Sequence, residues 1–268
     1  MVTENRRALP IEGMKAIKEI IDNIPLKTTN EPQQTSTDDE PQYKCAICHD
    51  IRSIHPRRED KTIDYSHIVN CKCVESERAL ERRQALLTWC ELPQKTETFT
   101  FKNYKIFPKV QEAYEAALEM ADGKSPKTFL TLMGPSDNGK THLLVAICRH
   151  WVAQNKLARY AFVPILLDEL RSGFNQNGDG SYEERWKRFL NVPLLAMDDL
   201  GTESPTPWAQ EHLDTLIDYR MVNGLATAVT TNLVLADLST RIASRLQRSG
   251  RIVIMSAPAY SKLVKANK

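Results

Sequence analysis

The sequence holds no apolar run approaching the roughly 20 residues a membrane span needs, and its first 25 residues lack the apolar core of a secretory signal. No membrane partner and a cytoplasmic location are therefore expected. An excess of charge of one sign is missing too: 36 basic against 34 acidic side chains leave a formal net charge of +2, so any nucleic-acid contact must come from a local patch. No internal repeat is visible. What remains, 268 residues at 41% hydrophobic content, suffices for one α/β core with about a third of the chain left for a smaller module. Six cysteines stand at 45, 48, 71, 73, 90 and 148, and a reducing compartment argues against disulfides between them.

Composition changes along the chain. Apolar residues at Ile11, Met14, Ile17, Ile20, Ile21 and Ile24 predict a short amphipathic helix. The stretch KTTNEPQQTSTDDEPQ that follows is too polar to repay its ordering entropy and reads as a flexible linker. Residues 1–40 are thus an N-terminal helix and linker, 41–95 a cysteine-rich module and 96–268 the main domain. In that last part the runs TFLTLM (128–133), RYAFVPI (159–165), VPLLAM (192–197), LATAVTT (225–231) and RIVIM (251–255) alternate with helical patterns. This rhythm predicts a doubly wound, parallel five-stranded α/β sheet.

The loop GPSDNGKT, comprising Gly134, Pro135, Ser136, Asp137, Asn138, Gly139, Lys140 and Thr141, follows the first of these strands. Glycines at its two ends let backbone N–H groups converge on a phosphate, Lys140 reaches the β and γ phosphates, and the Thr141 hydroxyl ligates Mg2+. His142 is grouped with these nucleotide-binding residues. A helix starting at Lys140 aims its positive dipole end at the same anion. In PLLAMDDLG, Asp198 and Asp199 emerge at the carboxyl edge of the sheet, Asp198 to hold Mg2+ and Asp199 to polarise an attacking water. Asp199 is one methylene shorter than glutamate, so slow hydrolysis is expected. Asn232 ends the next strand and can bond the water or the γ-phosphate; a plain strand-ending turn is the competing reading. Arg241 and Arg245 lie four apart on one helical face, a spacing that by itself fits solvated surface charge.

The pairs CAIC and CKC supply Cys45, Cys48, Cys71 and Cys73, close to the two-knuckle layout of a closed, structural zinc site. His49, His55 or His67 is the alternative ligand if CKC is too tight to give both thiolates. Cys90 and Cys148 read as buried small hydrophobes.

GPSDNGKTHL, LLAMDDLG, TTN and RIASRLQR, behind CAIC, CKC and TFTFKNY, together resemble the DnaC/DnaI-like helicase loaders, especially phage and prophage versions with an N-terminal zinc ribbon. The resemblance covers roughly residues 43–260. It implies an AAA+ ATPase using ATP, Mg2+ and Zn2+ in a bacterial or phage-infected cell. It further implies self-assembly with ATP and two partners, a hexameric DnaB-type replicative helicase and single-stranded DNA. Arg245 is then the finger that reaches a neighbouring subunit's γ-phosphate, Arg241 its accessory, and the segment 99–104 packs near the adenine. The thirteen residues after RIVIM are too few for a helical lid, so a core without that lid is expected. The alternatives are an IstB-like transposition ATPase, a small-molecule P-loop kinase and a zinc-anchored module that binds ATP without turnover.

Overall fold

The structure is a computed structural model that describes residues 42–175, 181–203 and 206–257. The expected helix at 11–24, the linker behind it and most of the tail after the last strand lie outside those residues. Two compact units divide between Arg82 and Arg83.

The first unit is built from short turns. His49 N–H bonds Cys45 O and Ile51 N–H bonds Cys48 O, while the Asp50 carboxylate accepts the N–H groups of Lys44 and Cys45 at 3.1 and 3.0 Å. Strands β1 (Ser53–Ile54) and β2 (Val69–Asn70) pair antiparallel and deliver the chain into helix α1 (Lys72–Cys90). Cys71 N–H bonds Arg52 O at 2.8 Å, which ties the second cysteine pair to the residue just ahead of β1.

The second unit follows the order α2 (Pro108–Ala121), β3 (Phe129–Met133), α3 (Lys140–Ala153), β4 (Ala158–Phe162), α4 (Val163–Asn175) and α5 (Ser181–Asn191). It continues with β5 (Leu194–Asp198), α6 (Pro207–Val222), β6 (Ala226–Thr231), α7 (Thr240–Ser249) and β7 (Gly250–Ile254). All five expected strands occur, in the spatial order β4-β5-β6-β3-β7, every neighbouring pair parallel. Side chains of one strand alternate between two cores. Leu130 and Leu132 pack with Val110, Ala117, Leu144 and Ile147 of α2 and α3, whereas Phe129 packs with Val163, Leu195, Leu216 and Ile242 on the α4–α7 side. Burial on both faces is why these strands read as unbroken apolar runs. Cys90 and Cys148 are fully buried in the first of these cores, as expected of small hydrophobes.

One strand was read too long. The run expected to extend to Ile165 stops at Phe162, and Val163 already begins α4 with Pro164 in its first turn, where the missing N–H costs no helical bond. A buried helix start is as apolar as a buried strand, so hydrophobicity did not mark the switch. Arg220 is fully buried and donates to Phe189 O, Leu190 O and Val192 O at the end of α5, and to Ala226 O and the Thr227 hydroxyl of β6. It satisfies the orphan carbonyls of a helix end. Burial brings its pKa down to about 9.

Candidate phosphate-loop and cysteine sites

The loop 134–139 leaves the carboxyl end of β3, an interior strand between β6 and β7. Gly134 has φ +150°, and a Cβ there would lie 2.3 Å from Met255 O; Gly139 has φ +93°, and a Cβ there would lie 2.9 Å from the Tyr104 hydroxyl. Both positions exclude larger residues. Pro135, Ser136 and Asp137 form the exposed crest, and the buried Asn138 anchors the loop by donating to Met255 O at 2.9 Å. Lys140 opens α3, and its ammonium donates to Gly134 O, Pro135 O, Asn138 Oδ1 and Asn232 Oδ1 at 2.8, 2.7, 3.3 and 2.9 Å. Burial lowers its pKa, and the charges of Asp199 and Asp198 partly offset that.

The acidic pair stands where β5 ends, with Asp198 as the last strand residue. Its carboxylate accepts the Thr141 hydroxyl at 3.0 and 3.1 Å, the Tyr160 hydroxyl at 2.7 Å and the Thr230 hydroxyl. Burial, followed by the Asp198 charge, raises the Tyr160 pKa. Asp199 has φ +63°, in the left-handed region that costs a side-chain-bearing residue about 1–2 kcal/mol. Its N–H bonds the Thr230 hydroxyl at 2.9 Å, and Leu200 N–H bonds Thr230 O at 2.9 Å, so β6 holds the turn in place. The Asn232 amide joins the two halves of the site, accepting from Lys140 through Oδ1 and donating to Asp199 Oδ1 at 2.6 Å through Nδ2.

His142 is engaged by the segment ahead of α2. Its ring stacks on Phe99 at 4.6 Å and 6°, meets Tyr104 edge-on at 5.1 Å and bonds Thr100 O at 3.0 Å. The segment 99–104 is thereby packed along the first turns of α3. Arg241 and Arg245 are not brought to the loop by any hydrogen bond or ion pair: both meet Asp218 of α6, and Arg241 also lies 3.9 Å from Asp214. Hydrogen bonds from Arg245 first, then Arg241, hold the Asp218 carboxyl below its ordinary pKa.

Among the described residues, Cys45, Cys48, Cys71 and Cys73 form one group whose sulfurs all lie within 4.8 Å of one another. Cys45 and Cys71 are 3.8 Å apart, Cys48 and Cys73 3.5 Å, close to the roughly 3.8 Å edge of a tetrahedron with 2.3 Å zinc–sulfur bonds. Backbone N–H groups of Cys48 and Ile47 bring the Cys45 thiol down to about 7, the direction a ligand thiolate requires, whereas burial and the neighbouring thiols push Cys73 up to about 12. The alternative histidines are engaged elsewhere: His49 stacks on Tyr43, His55 bonds His67 O and His67 bonds the Ser66 hydroxyl. The residues fit a four-thiolate metal site.

Two residues that touch the acids were not singled out from the sequence. Thr230 lay inside the TTN motif without a role. Tyr160 stands beside Ala196 in the β4–β5 register, two residues before the level of Asp198, so period-two alternation puts both side chains on one face. Only the register reveals it.

The family described as IstB-like ATP binding protein matches residues 50–245. The phage-like element PBSX protein XkdC of Bacillus subtilis (strain 168) is 25% identical over 269 residues, 92% of this chain and 95% of that protein. The replicative helicase loader DnaI of the same organism is 28% identical over 128 residues, 47% of this chain and 39% of that protein, so that match spans well under half of DnaI. The solved structure of the DnaC helicase loader superposes with a TM-score of 0.54 at 23% identity, over 61% of this chain and 100% of that one.

Proposed function

The chain belongs to the IstB-like ATP binding protein family and has the AAA+ fold, and from that premise we propose that it is an ATP-switched loader of a hexameric DnaB-type replicative helicase onto single-stranded DNA. Residues 41–95 are its zinc-dependent module, which recognises the helicase, and 96–268 the ATPase. The likeness to helicase loaders and the cysteine cluster ahead of the phosphate loop support that choice of partner.

The observation that carries the switch is the amide of Asn232, which bonds Lys140 with its oxygen and Asp199 with its nitrogen. Lys140 is held by four neutral oxygens that it can exchange for those of an anion, and a change at Lys140 reaches Asp199 through one side chain. Magnesium–ATP supplies the transferable phosphoryl group and most of the local charge. Thr141 and Asp198 hold the cation. Asp199 accepts the proton of the attacking water, and its short side chain, shared with Asn232, keeps turnover slow until a partner intervenes. Arg245, presented by Asp218 with Arg241 alongside, reaches the neighbouring protomer in an ATP-dependent assembly. Nucleotide state then changes affinities between proteins rather than transforming a metabolite.

A second reading, an ATPase that assembles on DNA and directs a transposase, is favoured by the description of the matching family. Light scattering after size-exclusion chromatography separates the two. The intact chain is mixed with its host's replicative helicase under ATP, ADP or no nucleotide, with Lys140→Ala as control. A complex of defined mass, remodelled by nucleotide, is expected. No complex in any state, together with ATP-dependent filaments on DNA, would replace the loader with the transposition ATPase.

A further inference from the structure

The Asp198 carboxylate is tied down from three elements at once: Thr141 of α3, Tyr160 of β4 and Thr230 of β6. An ionised carboxylate offers about four acceptor positions and can only accept, so all three hydroxyls donate and together fill about three of them. Their protons are committed. Thr230 receives Asp199 N–H on its oxygen and gives its own proton to Asp198, and Tyr160, 8% exposed, has its hydroxyl 2.7 Å from the same carboxylate. Asp198 and Thr230 are 5% and 1% exposed, so none of these bonds competes freely with water.

We propose that Tyr160 and Thr230 are positioning residues for the divalent cation: they lock the Asp198 carboxylate in the orientation in which it and the Thr141 hydroxyl form one preformed seat. Each strand beside β5 contributes one hydroxyl. Tyr160 sets one carboxylate oxygen from the β4 side. Thr230 sets the other from β6 and, through Asp199 N–H, fixes the distance between the two acids. The inference rests on the reading that Thr141 and Asp198 hold Mg2+, and it assigns two residues that this reading does not use.

The test measures binding of a fluorescent ADP analogue to the intact chain while Mg2+ is titrated, and again in metal-depleted buffer without chelator, which leaves the cysteine cluster undisturbed. Tyr160→Phe and Thr230→Val are each expected to raise the Mg2+ concentration for half-maximal binding about tenfold, the usual effect of removing a partner of a metal ligand. Binding in metal-depleted buffer stays within twofold on the order of measurement error, and Thr230→Ser restores the Mg2+ response. An unchanged Mg2+ midpoint in both variants, or a loss of binding equal with and without Mg2+, overturns the proposal. Should Tyr160→Phe fail to fold, the Thr230→Val and Thr230→Ser pair decides it. No helicase or DNA is present, so failure of the loader reading leaves this outcome readable.

Discussion

At the residue scale, the residues proposed for binding and the one proposed for chemistry are held differently. Lys140, Thr141 and Asp198 are buried or half-buried and bonded to one another's neighbours, whereas Asp199 is held by a single side-chain bond from Asn232 and by its own backbone turn. Asp199→Asn is therefore expected to retain Mg2+-dependent nucleotide binding while lowering phosphate release at saturating ATP about a hundredfold, the lower range for losing a general base. Equal rates in the two proteins would remove Asp199 from the chemistry. The paired arginines give a pH prediction. The folded-state pKa of Asp218 is depressed by Arg245 and Arg241, so its contribution to stability is present above the unfolded value near 4 and is lost as pH falls through the folded one. Urea denaturation should find the intact chain more stable than Asp218→Asn at pH 7, with the difference shrinking below about pH 4. A gap constant with pH would mean the arginines do not act through this carboxylate. The loop residues were readable from sequence because eight consecutive positions carry the motif, and Asp198 and Asp199 because they follow an apolar strand. Tyr160 was not readable, since its contact depends on which strand lies beside β5.

At the element scale, the loop is held from the far side by β7. Met255 N–H bonds Met133 O at 2.7 Å, and Met255 O receives the Asn138 amide, so the residue just past β7 ties the end of β3 to the buried anchor of the loop. Gly134 lies against that same carbonyl. Gly134→Ala would put a Cβ 2.3 Å from Met255 O, against backbone that cannot swing aside, whereas a Cβ at Gly123 meets nothing within 4 Å and faces only the strain of φ +72°. Denaturation of the two variants should show Gly134→Ala the more destabilised by about 1–3 kcal/mol, the usual range for overpacking, with nucleotide binding lost in it alone. Equal costs would mean the β7 end yields. The strand count was legible from the sequence because each buried strand is an apolar run between turns. The strand order was not: periodicity carries no information about which run lies beside which, and the end of β4 was hidden by the apolar start of α4.

At the scale of the whole molecule, two units of different physics share one chain. The second buries two apolar layers against a sheet and can hold itself together. The first cannot. Its strands are two residues long, and Ile47, Ile51, Tyr65, Ile68 and Leu80 are exposed, so little apolar area is removed from water among the described residues 42–82. A unit so poor in core needs a covalent or metal staple, and four sulfurs within 4.8 Å of one another in a chain whose cysteines are free supply the donors for one. The purified protein is accordingly expected to carry about one zinc per chain by elemental analysis. Treatment with a zinc-selective chelator should abolish hydrogen-exchange protection between residues 44 and 74 while leaving β3, β5 and β6 protected and nucleotide binding intact. Cys48→Ser should reproduce the chelated pattern without chelator. Protection of the first unit that survives with no metal present would mean that its turns and hairpin bonds suffice, and the cysteine cluster would then have to be explained by the reactivity of its thiols rather than by folding.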